Sequence, residues 1–185
     1  MWDRVGHPLV PAASLGDRAT GGSFSPSGAR LAVVGWDGRV CVIDLERDIR
    51  TTSRLGDATL NDVAFSPSGD RLAIVADDGI VRLVSVARQR LVVDRQLPAQ
   101  ASAVTRVAFT TDGGAVVAGA RDGSVSVTEP RSGQTLRLRA AVGAVTALAV
   151  TASGISSGHD DGAAVHWAAA LPVDPKTGVA RPPRG

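Results

Sequence analysis

Residues 63–86 read VAFSPSGDRLAIVADDGIVRLVSV, and this stretch decides the fold. It holds three apolar runs separated by two turn signals, SPSG at 66–69 and DDG at 77–79. Proline at the second position and glycine at the fourth are typical of a four-residue turn. Asp-Gly between apolar runs indicates a hairpin, because glycine readily adopts a positive φ angle. The pattern therefore predicts a three-stranded antiparallel meander.

The same unit recurs along the chain at a nearly constant spacing. Its turn pairs are Asp37-Gly38, Asp78-Gly79, Asp122-Gly123 and Asp161-Gly162. The aspartates are 41, 44 and 39 residues apart, and the strand before each first turn closes at residues 24, 65, 109 and 150, at steps of 41, 44 and 41. Two landmarks that keep one period indicate a repeat architecture.

The segments between the units supply a fourth strand for each repeat. Residues 50–55, 90–97 and 134–138 alternate or carry apolar side chains, and no segment shows a sustained helical stripe. A four-stranded unit buries both faces of its sheet when the units stack radially. We therefore expect an all-β fold, a β-propeller of about four four-stranded antiparallel blades that form either a partial or a small ring.

The turns and strands of residues 16–171 resemble the WD-repeat β-propeller family. Phe-Ser-Pro-Ser-Gly occurs at 24–28 and again at 65–69, and an Asp-Gly turn follows in every unit. The positions of the family's Trp-Asp pair are occupied by Ile43-Asp44, Val84-Ser85, Thr128-Glu129 and Trp167-Ala168. No unit keeps both residues, so the resemblance implies degenerate repeats.

The polar network of the family is expected to be absent here. In the family, a histidine before the first strand bonds to the turn aspartate and onward to a hydroxyl. The corresponding linkers carry Gly56-Asp57, Ala99-Gln100 and Ala140-Ala141, and the hydroxyl positions carry Gly35, Ala76, Ala120 and His159. With the turn aspartate alone retained, packing must hold the blades together, and we expect modest stability.

The resemblance also suggests how the chain is divided. Met1-Trp2-Asp3 looks like the closing pair of an earlier unit, so residues 1–15 would be the outer strand and linker of a preceding or closing blade. The predicted blades are 16–56, 57–99, 100–141 and 142–171, and a flexible tail is expected at 172–185. Either the first strand completes the last blade in a closed four-blade ring or a dimer, or the four blades are an incomplete arc of a longer array. An incomplete arc exposes a blade face and would self-associate.

The tips of the Asp-Gly turns are the candidate partner-binding residues. The residue before each turn aspartate is Trp36, Asp77, Arg121 and Asp160. Loop tips on one rim often carry recognition, and exposed Trp and Arg are typical interface anchors. Trp36 could equally pack against a neighbouring blade. The Asp-Gly pairs themselves are assigned a structural role in the turns, in preference to a cation-binding ring of carboxylates.

No residue pattern points to catalysis, a metal or a cofactor. If the last turn spans residues 160–163, His159 would oppose Ala164 and would share a sheet face with His166, about 7–8 Å away. A zinc site would need a third ligand, and none is evident nearby. Cys41 lies in an apolar run without a base partner, which predicts an inert buried thiol. We therefore expect that the protein is not an enzyme.

Charge and composition indicate which kinds of partner and which cellular compartment to expect. The formal net charge is +2 and the basic residues are dispersed, which argues against nucleic acid. The absence of a signal sequence, of a long apolar run and of a second cysteine favours a cytoplasmic protein with no membrane contact. Nineteen of the twenty basic residues are Arg, a composition that resembles proteins from GC-rich bacterial genomes.

The resemblance implies a non-catalytic scaffold that binds protein partners. The alternative is a truncated sensory or regulatory propeller from the C-terminal part of a larger bacterial signalling protein, linked to a nucleotide-binding or kinase region. A propeller enzyme is less favoured, because the chain offers only three histidines.

Overall fold

The computed structural model describes residues 17–87, 90–97, 100–139 and 142–168. This part of the chain forms fifteen β-strands arranged in four antiparallel sheets, and within each sheet the strands are neighbours in chain order. No helix of a length and apolarity that could cross a membrane occurs among these residues. We number the sheets as blades 1 to 4.

The strands have the following bounds. Blade 1 comprises β1 (Ala19–Phe24), β2 (Arg30–Gly35), β3 (Arg39–Asp44) and β4 (Ile49–Arg54). Blade 2 comprises β5 (Leu60–Phe65), β6 (Arg71–Ala76), β7 (Val81–Ala87) and β8 (Arg90–Gln96). Blade 3 comprises β9 (Val104–Phe109), β10 (Val116–Ala120), β11 (Ser124–Thr128) and β12 (Thr135–Arg139). Blade 4 comprises, within the described residues, β13 (Val145–Thr151), β14 (Gly154–His159) and β15 (Ala164–Ala168).

This architecture confirms the predicted all-β propeller fold. The outer strands β4, β8 and β12 lie on the three segments predicted to supply a fourth strand. The predicted first strand before blade 1, the residues after 168 and the tail lie outside the described residues.

The first turn of each of blades 1 to 3 forms as the sequence predicts. In blade 2 the Gly69 N–H donates to the Ser66 carbonyl over 2.9 Å, and the φ angle of Gly69 is +75°. The Ser66 hydroxyl also accepts the N–H of Arg71 at 3.1 Å, which ties the two ends of the turn together. Gly28 and Gly113 occupy the equivalent position in blades 1 and 3.

The Asp-Gly turn is a three-residue loop. In blade 2, Val75 pairs with Val81, so residues 76 and 80 face each other and residues 77–79 form the loop. Only the glycine of the loop, Gly79, has a positive φ angle, whereas a two-residue type I′ turn needs positive φ at both central positions. The loop length matters because a shift of one residue in register moves each side chain to the other sheet face.

Apolar cores lie between neighbouring blades rather than inside any one of them. Between blades 1 and 2, Val34 and Val42 pack with Ile74. A second core joins Val75 and Leu83 of blade 2 to residues of blade 3, and a third joins blades 3 and 4. Val, Leu, Ile and Ala fill these cores because aromatic residues make up only 3% of the chain. Each sheet therefore depends on its neighbour for burial.

The innermost strands line the centre of the propeller. β1 packs on β5, β5 on β9 and β9 on β13. Within the described residues, β13 does not pack on β1 as these neighbouring strands pack on each other. The four blades thus form an arc, with one face of blade 1 and one face of blade 4 not packed against each other.

Candidate functional site at the turn rim

The four predicted turn tips lie at equivalent places, one in each blade. All four residues are exposed. Each main-chain N–H donates to a carbonyl just before the innermost strand of its own blade; the pairs are Trp36 with Arg18 (3.0 Å), Asp77 with Thr59 (3.0 Å), Arg121 with Ala103 (2.8 Å) and Asp160 with Ala144 (3.0 Å). These bonds anchor the backbone of every tip, so the tip side chains project from a fixed rim.

Side-chain contacts hold three of the tips in two groups. The indole of Trp36 is half exposed, and the Arg18 guanidinium lies 5.0 Å from its ring centroid. Asp77 accepts a hydrogen bond from Asn61 Nδ2 at 2.8 Å and lies 3.6 Å from the Arg121 guanidinium. A cation over an indole face and an ion pair across two blades hold these side chains in place.

A depression at the propeller centre connects these groups. It has a volume of about 280 Å³, and its lining includes Arg18, Trp36, Asn61 and Arg106, from blades 1, 2 and 3. We call the surface formed by Arg18, Trp36, Asn61, Asp77, Arg106 and Arg121 the rim patch. No contact joins Asp160 to the rim patch in the described part of the chain, so the structure brings together three of the four predicted tips.

Asp62 lies beside the rim patch, and the sequence interpretation missed it. It is half-buried in β5, and its carboxylate accepts the N–H of Val107 in blade 3 at 3.0 Å and that of Val63 at 2.9 Å. Burial raises the pKa of Asp62 above its ordinary value and outweighs these two bonds and the nearby Arg106 charge. The carboxylate thus joins blades 2 and 3, and its polar contacts are within the protein.

The turn aspartates are occupied by their own turns. Each carboxylate accepts the N–H of the residue two positions later, at 3.1, 3.0, 3.1 and 2.9 Å in blades 1 to 4. The hydrogen bond from the Ser124 hydroxyl lowers the pKa of Asp122, and the Ala163 N–H lowers that of Asp161. The glycine after each aspartate has a φ angle between +74° and +85°. These bonds fit the hairpin role.

Two blades contain polar contacts that differ from the four-residue network of the family. Arg82 in β7 is buried and binds both carboxylate oxygens of Asp78. Gln100, which stands where the family has histidine, donates to the hydroxyl of Ser126 in β11. The sequence comparison sought one residue type at one position, whereas a bond needs only a donor that reaches the acceptor.

The predicted arrangement of the two histidines was wrong. Ser156 pairs with His166, and Gly158 pairs with Ala164, so His159 and His166 lie on opposite faces of blade 4. The cause is the three-residue loop, which shifts the register by one residue from the assumed turn. His159 is buried, with its ring nitrogens 2.8 Å from Ser157 Oγ and 2.8 Å from the Gly143 carbonyl.

Neither a metal cluster nor a reactive thiol emerges from the described ranges. They hold no group of three or more His, Cys, Asp or Glu side chains that could bind a metal ion. Cys41 is buried in β3 beside Leu31, Val33 and Ile43.

An outer groove of about 380 Å³ separates blades 1 and 2. Its apolar part is formed by Val42, Ile49, Val86 and Leu91. At one end Arg47 bonds to Asp44, 3.0 Å away. The groove lies on the outer side of the arc, apart from the residues of the rim patch.

Four antiparallel sheets stacked with their innermost strands around a common centre define a β-propeller. Residues 63–153 match the model of the anaphase-promoting complex subunit 4 WD40 domain, and residues 16–44 match that of the WD domain, G-beta repeat. The chain belongs to the WD40-repeat β-propeller family. This result confirms the family resemblance stated from the turns and strands.

Solved structures show the same fold. The computationally designed Ika4 protein superposes with a TM-score of 0.75 at 25% identity, over 88% of this chain and 98% of that one. The β-propeller domain of Cps50 (Swd1) from Myceliophteria thermophila superposes with a TM-score of 0.72 at 20% identity, over 82% of this chain. The match spans 51% of the Cps50 domain, about half its length. No curated protein sequence matches the chain. In all, 1222 solved chains match, so the fold does not specify a partner.

Proposed function

We propose that this protein is a non-catalytic scaffold that binds a protein partner through the rim patch. WD40 propellers are typically interaction scaffolds and are usually non-catalytic. The observation that carries the proposal is the half-exposed indole of Trp36, held under the Arg18 guanidinium beside the central depression. An exposed aromatic side chain fixed in one orientation loses little entropy on binding and can anchor an interface.

The charges of the rim patch favour an acidic partner segment. The patch contains the guanidinium groups of Arg18, Arg106 and Arg121 against the single carboxylate of Asp77. Excess positive charge around a central aromatic anchor steers and orients a negatively charged partner.

The buried single cysteine, Cys41, supports placing the protein in the reducing cytoplasm.

A peptide selection tests this proposal without a known partner. A displayed library of random peptides is selected on the immobilised full chain, and the selected peptides are titrated by biolayer interferometry. We expect sequences rich in Asp and Glu whose affinity falls about tenfold or more in Trp36→Ala, the loss of an anchor residue. Arg121→Glu should weaken the same peptides because it reverses a charge in the patch.

The matched control is Val142→Ser, which removes an apolar side chain that is 82% exposed and is not part of the rim patch. Val142→Ser should bind the selected peptides with the same affinity as the unaltered chain. Selection of no peptide, or peptides that bind Trp36→Ala as tightly as the unaltered chain, contradicts the proposal.

A further inference from the structure

Each innermost strand carries a β-bulge at its second residue. In β5 the cross-strand pairing passes from Leu60 to Asp62 and leaves out Asn61. A bulge takes a side chain out of the regular alternation and gives it a new direction. The equivalent residues of β1, β9 and β13 are Thr20, Thr105 and Thr146. Blade 2 thus carries an amide where the other three blades carry a hydroxyl.

The bulged side chain joins one blade to the next at three junctions. The hydroxyls of Thr20 and Thr105 each donate to the carbonyl of the first residue of the next innermost strand. Asn61 Nδ2 donates in the same way to the Val104 carbonyl of blade 3 at 2.9 Å. We call this contact the junction bond. A hydroxyl has one hydrogen, so the threonines can serve one such bond at a time.

The amide of Asn61 has a second N–H, and this one reaches the rim patch. Asn61 Nδ2 lies 2.8 Å from Oδ1 of Asp77, the tip of blade 2. The same oxygen lies 3.6 Å from the guanidinium of Arg121, the tip of blade 3. Among the described residues, neither Thr20 nor Thr105 bonds to the tip of its own blade. Asn61 therefore serves the junction and, in addition, a charged side chain of the rim patch.

The bond from Asn61 strengthens the hold of Asp77 on Arg121. An exposed ion pair usually gains little, because two flexible side chains must be kept in one geometry. Here the carboxylate is fixed by a charge-assisted hydrogen bond from an amide that is itself anchored to the main chain of blade 3. Only the arginine side chain has to be ordered. Asp77 is thus a fixed counter-charge for Arg121.

The other two guanidinium groups of the rim patch have no such counter-charge. Arg18 lies over Trp36, and Arg106 donates to the Thr105 carbonyl at 2.7 Å. Asp62 is near Arg106, but its carboxylate accepts main-chain N–H groups. Within the described ranges, neither guanidinium forms an ion pair with a carboxylate. The positive charge that a partner meets is therefore concentrated beside the central depression.

We infer that Asp77 is a specificity-determining residue of the rim patch and that Asn61 positions it. The inference rests on the proposed function, since it concerns the acidic segment bound there. A carboxylate of the partner is directed to the two guanidinium groups beside the central depression. At Arg121 it would have to displace Asp77 and would meet its negative charge. A built-in repulsive group of this kind selects against a partner with a further acidic residue at that end.

A second peptide selection, on Asp77→Asn, tests the specificity with the same displayed library and biolayer interferometry. The substitution keeps the shape and the acceptor for Asn61 but removes the charge that covers Arg121. We expect peptides with one more Asp or Glu, whose affinity for Asp77→Asn is about tenfold higher than for the unaltered chain. Adding Arg121→Gln to Asp77→Asn should abolish this preference, since it removes the guanidinium that the additional acidic residue reaches.

Two further variants separate the contact from general effects of charge. Asp160→Asn makes the same charge change at the tip of blade 4, outside the rim patch, and should bind these peptides as the unaltered chain does. Asn61→Thr keeps a hydroxyl for the junction bond and releases Asp77, so affinity should rise about threefold at an unchanged Tm. In the Asp77→Asn background it should have no effect. An equal gain in Asp160→Asn, or no gain in Asn61→Thr, overturns the inference.

An NMR measurement tests the positioning role without any peptide. Asn61 is the single asparagine of the chain, so asparagine-selective isotope labelling gives one side-chain amide pair. In Asp77→Ala one amide proton should lose its hydrogen bond and move to lower chemical shift, while the proton bonded to the Val104 carbonyl stays. Movement of neither proton, or of both equally, excludes the role of Asn61. Selection of no peptide overturns the specificity together with the proposed function, whereas the amide signals still decide the positioning.

Discussion

Gly119→Ala should destabilise the junction between blades 3 and 4. Gly119 lies in β10 on the face towards blade 4, and a methyl group there would lie 2.5 Å from Val145 Cγ1 and 2.9 Å from its Cβ. Val145 is fully buried and β-branched, so it has little freedom to rotate away. Overpacking of this kind costs about 1–3 kcal/mol, and the lower entropy of the unfolded alanine chain offsets about 0.4–1 kcal/mol. The expected net loss is about 1–2 kcal/mol.

The assay is thermal unfolding followed by tryptophan fluorescence and circular dichroism. Trp167 belongs to the same apolar core as Val145 and reports on this junction directly. For a chain of this size, about 1–2 kcal/mol corresponds to a decrease in Tm of about 3–6 °C. The second measurement is a double-mutant cycle with Val145→Ala, which removes the atoms that the new methyl group meets.

The cycle separates steric conflict from other effects of the substitution. Val145→Ala alone should cost about 2–3 kcal/mol through lost burial and a cavity. In the double variant the alanine at position 119 fills part of that cavity, so the two losses should fall short of additivity by about 1 kcal/mol or more. A Gly119→Ala protein as stable as the unaltered chain, or two losses that add fully, would refute the steric argument.

Three further predictions concern stability. Because burial raises the pKa of Asp62, its stabilising contribution is complete below the unfolded-state pKa and is lost as pH rises through the folded-state pKa. Asp62→Asn should therefore gain in urea midpoint relative to the unaltered chain between pH 4 and 7 (about the titration range of carboxyl groups). Arg82→Leu removes the buried partner of a turn aspartate and should cost about 1–3 kcal/mol in urea unfolding. Gly38→Ala should lower the Tm strongly, because a methyl group at this positive φ angle meets a neighbouring backbone carbonyl.

Each of these predictions has its own control. If the urea midpoint of Asp62→Asn instead falls relative to that of the unaltered chain as pH rises, the burial argument is contradicted. Arg47→Leu breaks an exposed ion pair and should cost less than about 0.5 kcal/mol, so an equal loss would count against a special role for the buried pair. Gly28→Ala has a similar φ angle without near neighbours and should show backbone strain alone. If Gly28→Ala lowers the Tm as much as Gly38→Ala does, crowding is excluded as the cause of the effect of Gly38→Ala.

The fold was predictable because its signals are local. Proline and glycine at 67 and 69 restrict backbone angles within four residues, and alternating apolar residues define strands without reference to distant parts of the chain. The repeat of these signals at about 41 residues indicated the number of blades. For the same reason the resemblance to the WD-repeat family held although the Trp-Asp pair is intact in none of the four units.

The candidate site was only partly predictable. The turn tips followed from the position of the Asp-Gly pairs, and the structure joins Trp36, Asp77 and Arg121 to one surface. Asn61 and Asp62 were missed, because polar residues in an innermost strand look like interruptions of a regular pattern. One signal could have found Asn61: a side chain that can donate a hydrogen bond recurs at its position, as Thr20, Thr105 and Thr146, at the same period as the turns.

The sequence by itself determined the all-β character, the turns and the period of the blades, since these depend on conformational preferences of neighbouring residues. The tertiary structure alone decided which face each polar side chain occupies and which blade it meets. A loop longer by one residue reverses the face of a side chain, as for His159 and His166. In the same way, only the arrangement of the sheets shows that Thr20, Asn61 and Thr105 bond to a main-chain carbonyl of the next blade.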